Sequence, residues 1–411
     1  MKIGDFAGKF HVSRDTVRYY IASGLLIPDN HSAQYDFTER ECRDMETILK
    51  MKQQQFSLAE IREFLSVLRI STMVEPESIQ NVLDLLEQKK DYLEKQIGSL
   101  RKICDSIDED IQTILHMETQ SRKLTGVPLR ALPLLVCPYC GNPLELKDAS
   151  LNSRYVYGGL LHCRCGYQIA IENGIIKTGN LYTAPYDKPD LKRGLYRNVG
   201  DNFITYLQRC SDFALRELKK TDLAGKVVME GHCNGYFFLY NHLEALSDKC
   251  VYIIQDKYPE MLEMYKRNIE RLGLELDILY LADAGTCFPL RPQCVDILMD
   301  FMGDNEHSLY FKNFYISDIK KYLAPKAKVI GASMGYRTGA KSLAALRKKY
   351  PEGDWNGYCK DKWEKLYTQA GFCREAYPVG VMLESCDQYS FECHLQGEEY
   401  FFEYFRAVRK E

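Results

Sequence analysis

The sequence has no run approaching the roughly 18 apolar residues that a bilayer-crossing helix needs, and residues 1–9 contain no apolar core of a secretion signal. Both absences point to a cytoplasmic protein with no membrane partner. Charge of either sign is not in excess: 54 Lys plus Arg stand against 57 Asp plus Glu, a net of -3. No global positive field advertises nucleic acid, so any DNA-binding surface must be local. Proline is scarce, at 14 of 411 residues, and with 45% hydrophobic and 27% charged residues this excludes a collagenous or disordered chain. A disulfide framework is also missing: 15 cysteines are an odd count in a long chain without a leader, which favours reduced thiols or a metal. Cys42, Cys104, Cys210, Cys250, Cys294, Cys373 and Cys393 stand isolated and read as small buried hydrophobes. What the chain does have is length: 411 residues exceed one ordinary domain and predict two to four units.

Residues 1–70 alternate apolar and polar patches at helical spacing, with turn signals at Gly24, Pro28 and the polar run 29–34. Residues 3–11 form an amphipathic helix, Val12 and Ser13 a turn, and the Ser13 hydroxyl can cap a second helix over 14–22. That spacing is a helix-turn-helix. The second helix projects Arg14, Thr16, Arg18 and Tyr19, residue types that reach phosphates and base edges, and turns Val17 and Tyr20 inward.

The run IGDFAGKFHVSRDTVRYYIASGLLIP, then Tyr35, Phe37 and QQQFSLAEIREFL, resembles the DNA-binding domain of the MerR family of transcriptional regulators over about the first 70 residues. The resemblance implies a winged helix-turn-helix on double-stranded DNA, with Ser13, Arg14, Thr16, Arg18 and Tyr19 at the operator and Tyr35 on the wing. One departure stands out: Asp36 follows Tyr35 where the family usually carries arginine, and the run 29–34 is uncharged apart from Asp29. Fewer wing phosphate contacts lower affinity and its salt dependence.

From residue 76 to about 123 the only glycine is Gly98, and Ile79, Leu86, Leu93, Leu100, Ile107 and Ile114 recur at an unbroken seven-residue step, with Leu83, Ile97, Cys104 and Ile111 four places on. This is a coiled-coil seam. The stretch 79–114 spans about 54 Å as a helix, and one long apolar stripe calls for a partner. The MerR resemblance implies an antiparallel homodimer through this helix, which presents two reading heads to a pseudo-palindromic site.

After the linker Gly126-Val127-Pro128, Cys137-Pro138-Tyr139-Cys140 and Cys163-Arg164-Cys165 make two chelating pairs, each followed by a glycine, Gly141 and Gly166. Four thiolates at tight-turn spacing match the tetrahedral site that Zn2+ prefers. His162 lies beside the second pair, where it reads as a bystander or as a substitute ligand. So small a ribbon makes the metal a folding element. The strings LVCPYCGNPLEL and LHCRCGYQIAIENGIIKTG resemble the zinc ribbon that precedes the catalytic domain of ribosomal RNA guanine methyltransferases.

Beyond residue 186, apolar runs at 226–230, 251–255, 276–281, 295–299 and 328–332 alternate with helical stretches such as 261–272 and 309–322. Such alternation predicts a doubly wound parallel sheet that binds ligands at its strands' carboxyl ends. Glu230 precedes the bend Gly231-His232-Cys233-Asn234-Gly235; Asp256 ends the second strand, where it can accept ribose hydroxyls; Asp283-Ala284 ends the third, where an acid and a small residue can edge an adenine. Asp300 ends the fourth, facing the place of chemistry. This order resembles class I S-adenosylmethionine-dependent methyltransferases, which implies that cofactor, with Glu230, Gly231, Gly235, Asp256, Asp283 and Ala284 at it and Asp300 as the catalytic candidate. The loop departs from the family's three alternating glycines by carrying His232, Cys233 and Asn234, and Met299-Asp300-Phe301-Met302-Gly303 lacks an Asn-Pro-Pro-Tyr clamp.

The predicted architecture is therefore multidomain: an all-α winged helix-turn-helix (1–75), a long coiled-coil helix (76–124), a small zinc ribbon (130–182) and an α/β doubly wound, Rossmann-like methyltransferase domain (186–411). Three functions fit it. One is a ligand-responsive regulator whose methyltransferase-like domain senses S-adenosylmethionine, its demethylated product or an aromatic compound; another is an active methyltransferase on RNA or a small molecule that controls its own gene; a third is a constitutive repressor.

Overall fold

The computed structural model describes residues 1–31, 34–71, 76–117, 123–182, 188–194, 199–385 and 393–410. The boundaries expected at residues 75 and 186 lie outside them. The chain forms two compact units, Met1–Met117 and Glu118–Glu411.

In the first unit, α1 (Ile3–Lys9) and α2 (Arg14–Ala22) are joined by a turn, and Ser13 Oγ accepts from the Thr16 amide at 3.0 Å, the cap that the sequence implied. A two-stranded wing follows, β1 (Asp29–His31) antiparallel to β2 (Gln34–Asp36). Next come α3 (Glu39–Gln53) and α4 (Leu58–Ile70), each opened by a capping box, Thr38 with Glu41 and Ser57 with Glu60. Phe6, Val17, Tyr20, Leu25, Phe37, Met45, Ile48, Ile61 and Leu65 form one buried core, in which the Phe6 and Phe37 rings stack with centroids 4.1 Å apart.

Helix α5 (Pro76–Met117) runs unbroken for 42 residues. Near its start Val82 is buried and Lys89 pairs with Glu60 at 3.1 Å, so one face is held by α4. Beside that contact and along the rest of the helix, Ile79, Leu83, Leu86, Ile97, Leu100, Ile107, Ile111 and Ile114 are all exposed within this chain.

The second unit is built on one 12-stranded sheet. Its entry strand β3 (Val127–Pro128) and the ribbon strands β4 (Glu145–Leu151), β5 (Tyr155–His162), β6 (Gln168–Glu172) and β7 (Ile175–Lys177) pair antiparallel. After α6 (Asp201–Lys219) come β8 (Val227–Gly231), β9 (Val251–Asp256), α7 (Pro259–Arg271), β10 (Asp277–Ala282) and β11 (Val295–Phe301). Then follow α8 (Gly303–Tyr310), α9 (Tyr315–Ile319), β12 (Leu323–Gly335), α10 (Lys341–Lys349), α11 (Trp363–Ala370), β13 (Phe372–Met382) and β14 (Tyr400–Arg409).

The sheet order is β13-β14-β12-β11-β8-β9-β10-β7-β6-β5-β3, with the twelfth strand, β4, paired to β5 off this path. Strands β10, β9, β8, β11 and β12 are parallel, while β14 inserts antiparallel between β12 and β13. The chain winds outward from β8 to β10, then returns to β11 on the other side of β8. This is a Rossmann-like, doubly wound sheet whose switch point lies between β8 and β11.

The five strands expected from apolar runs are β8 to β12. The helix expected over 309–322 is instead two, α8 and α9: the chain extends at Phe311, and the Asp304 carboxylate accepts from the Tyr315 amide at 3.3 Å as the second helix starts. The ribbon continues the same sheet, because β7 pairs parallel with β10 in the register Tyr280↔Ile175. Leu161, Ile169, Ile171 and Ile176 are accordingly buried together with Leu279, Leu281 and Val295, since so few apolar side chains cannot enclose a core of their own. Of the seven isolated cysteines, Cys104 and Cys373 are exposed, contrary to expectation. Cys104 lies on the uncovered side of α5, and Cys373 points outward from the alternating edge strand β13.

Candidate functional site

On the amino-terminal unit, α2 presents Arg14, Arg18 and Tyr19 outward, Tyr19 being 58% exposed. Arg18 is steadied one helical turn from Asp15 at 2.9 Å, and the Thr16 hydroxyl shares a hydrogen bond with Ser13 Oγ at 2.8 Å. Ser13 and Thr16 thus fix the start of the helix and leave outward reach to the arginines and Tyr19. Tyr35 is half-buried against the core of this unit. The unusual Asp36 has a local role: its carboxylate pairs with Lys2 Nζ at 3.3 Å and so ties the wing to the start of α1.

In the second unit, the sulfur atoms of Cys137, Cys140, Cys163 and Cys165 lie within 4.8 Å of one another. The pairs Cys137–Cys165 and Cys140–Cys163 stand 3.4 Å apart, against about 3.8 Å between thiolates on a tetrahedral zinc. Two tight turns bring them there, with the Gly141 amide on Cys137 O and the Gly166 amide on Cys163 O, both at 2.9 Å. Cys137 and Cys163 are buried and the other two exposed, and His162 turns toward Glu145 at 3.3 Å. Among the described residues no fifth His, Cys, Asp or Glu joins the cluster, and four convergent thiols can hold a metal ion as a closed, structural centre.

At the carboxyl ends of β8, β9 and β10, the structure assembles the acids that the sequence singled out, and each is matched by the chain itself. The Glu230 carboxylate accepts from the amides of Phe238 (2.6 Å) and Leu239 (2.9 Å); burial outweighs those bonds and pushes its pKa up to about 8. Asp256 accepts from the amides of Asn234 (2.8 Å) and Tyr258 (2.9 Å), and burial raises it to about 7. Asp283 accepts from Thr178 Oγ1 (2.6 Å), Asn180 Nδ2 (2.9 Å) and the Gly285 amide (2.6 Å), while the Ala284 amide donates to Asn180 O at 2.8 Å. The glycine loop is braced from outside: Arg193 donates to Asn234 O and Gly235 O at 2.8 and 2.9 Å. Gly231 admits no side chain, because a Cβ there would lie 2.4 Å from Tyr315 Oη.

Asp300, at the end of β11, is engaged by the chain itself. Its carboxylate is buried and accepts from the Asp304 amide (2.8 Å) and the Tyr367 hydroxyl (3.0 Å), with burial raising its pKa to about 6. It joins β11 to α8 and α11.

Sequence reasoning missed what surrounds the loop. His232, held at φ 59°, is buried with neither ring nitrogen hydrogen-bonded among the described residues, and its ring lies 4.9 Å from that of Tyr315 and 5.4 Å from that of His307. Burial, then the neighbouring His307, holds its pKa well below the usual imidazole range. Beside it the buried Lys257 ammonium pairs with Glu306 at 2.6 Å and lies over the rings of Tyr310, Tyr182 and Tyr258 at 3.4, 4.7 and 5.1 Å. The histidine was visible as a departure from glycine; the tyrosine cage comes from three distant segments and leaves no local pattern.

Residues 1–68 match the family described as MerR HTH family regulatory protein. The amino-terminal segment is thus a MerR-type helix-turn-helix, fused to a Rossmann-like unit. A MerR family transcriptional regulator from Listeria monocytogenes is similar at 21% identity, covering 28% of this chain and 85% of its own, with TM-score 0.23. The MccD protein is similar over 49% of this chain and 97% of its own at 10% identity, TM-score 0.40. The YcgJ protein from Bacillus subtilis is similar over 48% and 98% at 11% identity, TM-score 0.36. No curated protein matches the chain. The Rossmann-like assignment rests on the strand order and register given above.

Proposed function

We propose that this protein is a MerR-like DNA-binding transcriptional regulator, dimeric through α5, whose carboxyl-terminal unit senses an adenosyl ligand. The observation that carries the reading is the combination in one chain of a MerR-type head, a 42-residue helix and a doubly wound unit with acids at successive strand ends. Arg14, Arg18 and Tyr19 enter the major groove, with Ser13 and Thr16 shaping the helix start and Tyr35 steadying the wing. The exposed stripe of α5 pairs with its counterpart in a second copy. Cys137, Cys140, Cys163 and Cys165 hold Zn2+ and brace the ribbon. S-adenosylmethionine or its demethylated product lies across the ends of β8, β9 and β10, near Glu230, Gly231, Gly235, Asp256, Asp283 and Ala284. A ligand alters DNA binding only through unequal affinity for two states of the dimer.

A second reading, an active methyltransferase, draws support from His232, Tyr315 Oη and Gln255 Oε1, buried polar atoms at the strand ends without hydrogen bonds among the described residues. One experiment separates the two. Fluorescence anisotropy of a labelled duplex from the gene's own upstream region, against a scrambled duplex, accompanies transfer of radiolabelled methyl groups from S-adenosylmethionine to total RNA. The regulator binds its own region at least tenfold tighter than the scrambled one and transfers nothing. Equal affinity for both duplexes with multiple-turnover transfer overturns it in favour of the enzyme.

A further inference from the structure

At the end of β10 a carboxylate oxygen of Asp283 stands next to the backbone N–H of Ala284, an acceptor beside a donor. Such an edge recognises a ligand carrying the reverse order, an amino group beside a bare ring nitrogen, as adenine has. Here the chain supplies that partner. The side-chain Nδ2 of Asn180 donates to Asp283 Oδ1 at 2.9 Å, and the main-chain O of the same residue accepts from the Ala284 amide at 2.8 Å. Thr178 Oγ1 occupies the second carboxylate oxygen at 2.6 Å, and the Thr178 amide donates to Ala282 O at 3.2 Å.

The fit depends on two neighbours. Strand β7 pairs with β10 as far as Lys177↔Ala282, so the chain leaves the sheet directly above the acid, and Gly179 turns it at φ 81° to bring Asn180 back. Gly285 then leaves the room, since a Cβ there would lie 2.7 Å from Asn180 Nδ2. Asn180 is itself exposed, so its side-chain amide can leave Asp283 for water at small cost.

We propose that Asn180 is an internal competitor for the nucleobase of the adenosyl ligand: it holds the Asp283–Ala284 edge until adenine displaces it, and thereby sets the ligand's affinity. This rests on the adenosyl-binding reading above. The ligand gains its edge contacts only by exchange for those of Asn180, so the wild-type affinity is weaker than the same site would show with the edge free.

The test is calorimetric titration of S-adenosylhomocysteine into the full-length zinc-loaded protein, wild type against Asn180→Ala and Asn180→Asp. The alanine variant removes the donor, and the aspartate variant sets an acceptor against Asp283. Both sit at an exposed position outside the core, and thermal unfolding checks that each chain is folded. Removing one such hydrogen bond tightens binding about threefold to tenfold in both variants. Equal dissociation constants in all three chains overturn the competitor while leaving the ligand reading intact. No heat from any folded chain overturns the adenosyl reading and the competitor with it.

Discussion

The apolar stripe of α5 gives a sharp test. Leu100, 59% exposed in the single chain, lies midway along the seam. Replacing it by alanine keeps helix propensity and deletes the side chain that a partner helix would cover. Burying a leucine contributes about 1.5–3 kcal/mol. A two-fold dimer carries the substitution twice, so Leu100→Ala costs about 3–6 kcal/mol of association, or roughly a hundredfold to ten-thousandfold in the dimer dissociation constant. Sedimentation velocity across a concentration series reads that constant, and circular dichroism at the same concentrations checks that the helix persists. A control change on the opposite side, Lys102→Ala, leaves it unaltered. An unchanged dimer constant in Leu100→Ala would refute the pairing and leave the stripe to some other partner.

Other consequences follow from the same geometry. Cys163→Ser removes one of four convergent sulfurs, so zinc content falls from one per chain to a small fraction and the second unit melts at lower temperature; undiminished zinc by atomic absorption would contradict the site. Glu230 and Asp256 titrate near 8 and 7 in the folded protein, above the ordinary carboxylate range. The folded state therefore holds protons that the unfolded chain releases, so their stabilisation is complete below about pH 4 and is lost as pH rises through 7 to 8. Urea midpoints measured at pH 5, 6.5 and 8 should fall, and Glu230→Gln should flatten the fall; an unaltered slope in the variant removes Glu230 as its source. Arg18→Ala weakens binding to the upstream duplex. A phosphate contact lowers the salt slope by about 1, and a base contact costs about 1–3 kcal/mol at one position of the site; unchanged affinity at every salt concentration would take Arg18 out of the interface.

Local physics was legible in the sequence wherever neighbours along the chain do the work. Ser13 announced its cap, the seven-residue step announced α5, paired cysteines announced their cluster, and apolar runs announced β8 to β12. The reverse holds where distant segments meet. The antiparallel insertion of β14 beside β12 is a long-range pairing that strand propensity does not reveal. The junction of the ribbon with β10 rests on a three-residue strand, β7, too short to show a period. Asn180 reaches Asp283 across 103 residues, and Tyr367 reaches Asp300 across 67, so reading those acids as open to ligand or substrate followed correctly from their strand-end positions and missed what fills them.

The central claim is that an adenosyl ligand and DNA communicate through one dimer. Coupling between two sites is reciprocal, so it can be read from the ligand alone. The measurement is the dissociation constant of S-adenosylhomocysteine for the zinc-loaded dimer, free and saturated with the upstream duplex. The account predicts constants that differ at least fivefold, about 1 kcal/mol. Identical constants would contradict it, because a ligand that binds both states equally moves neither.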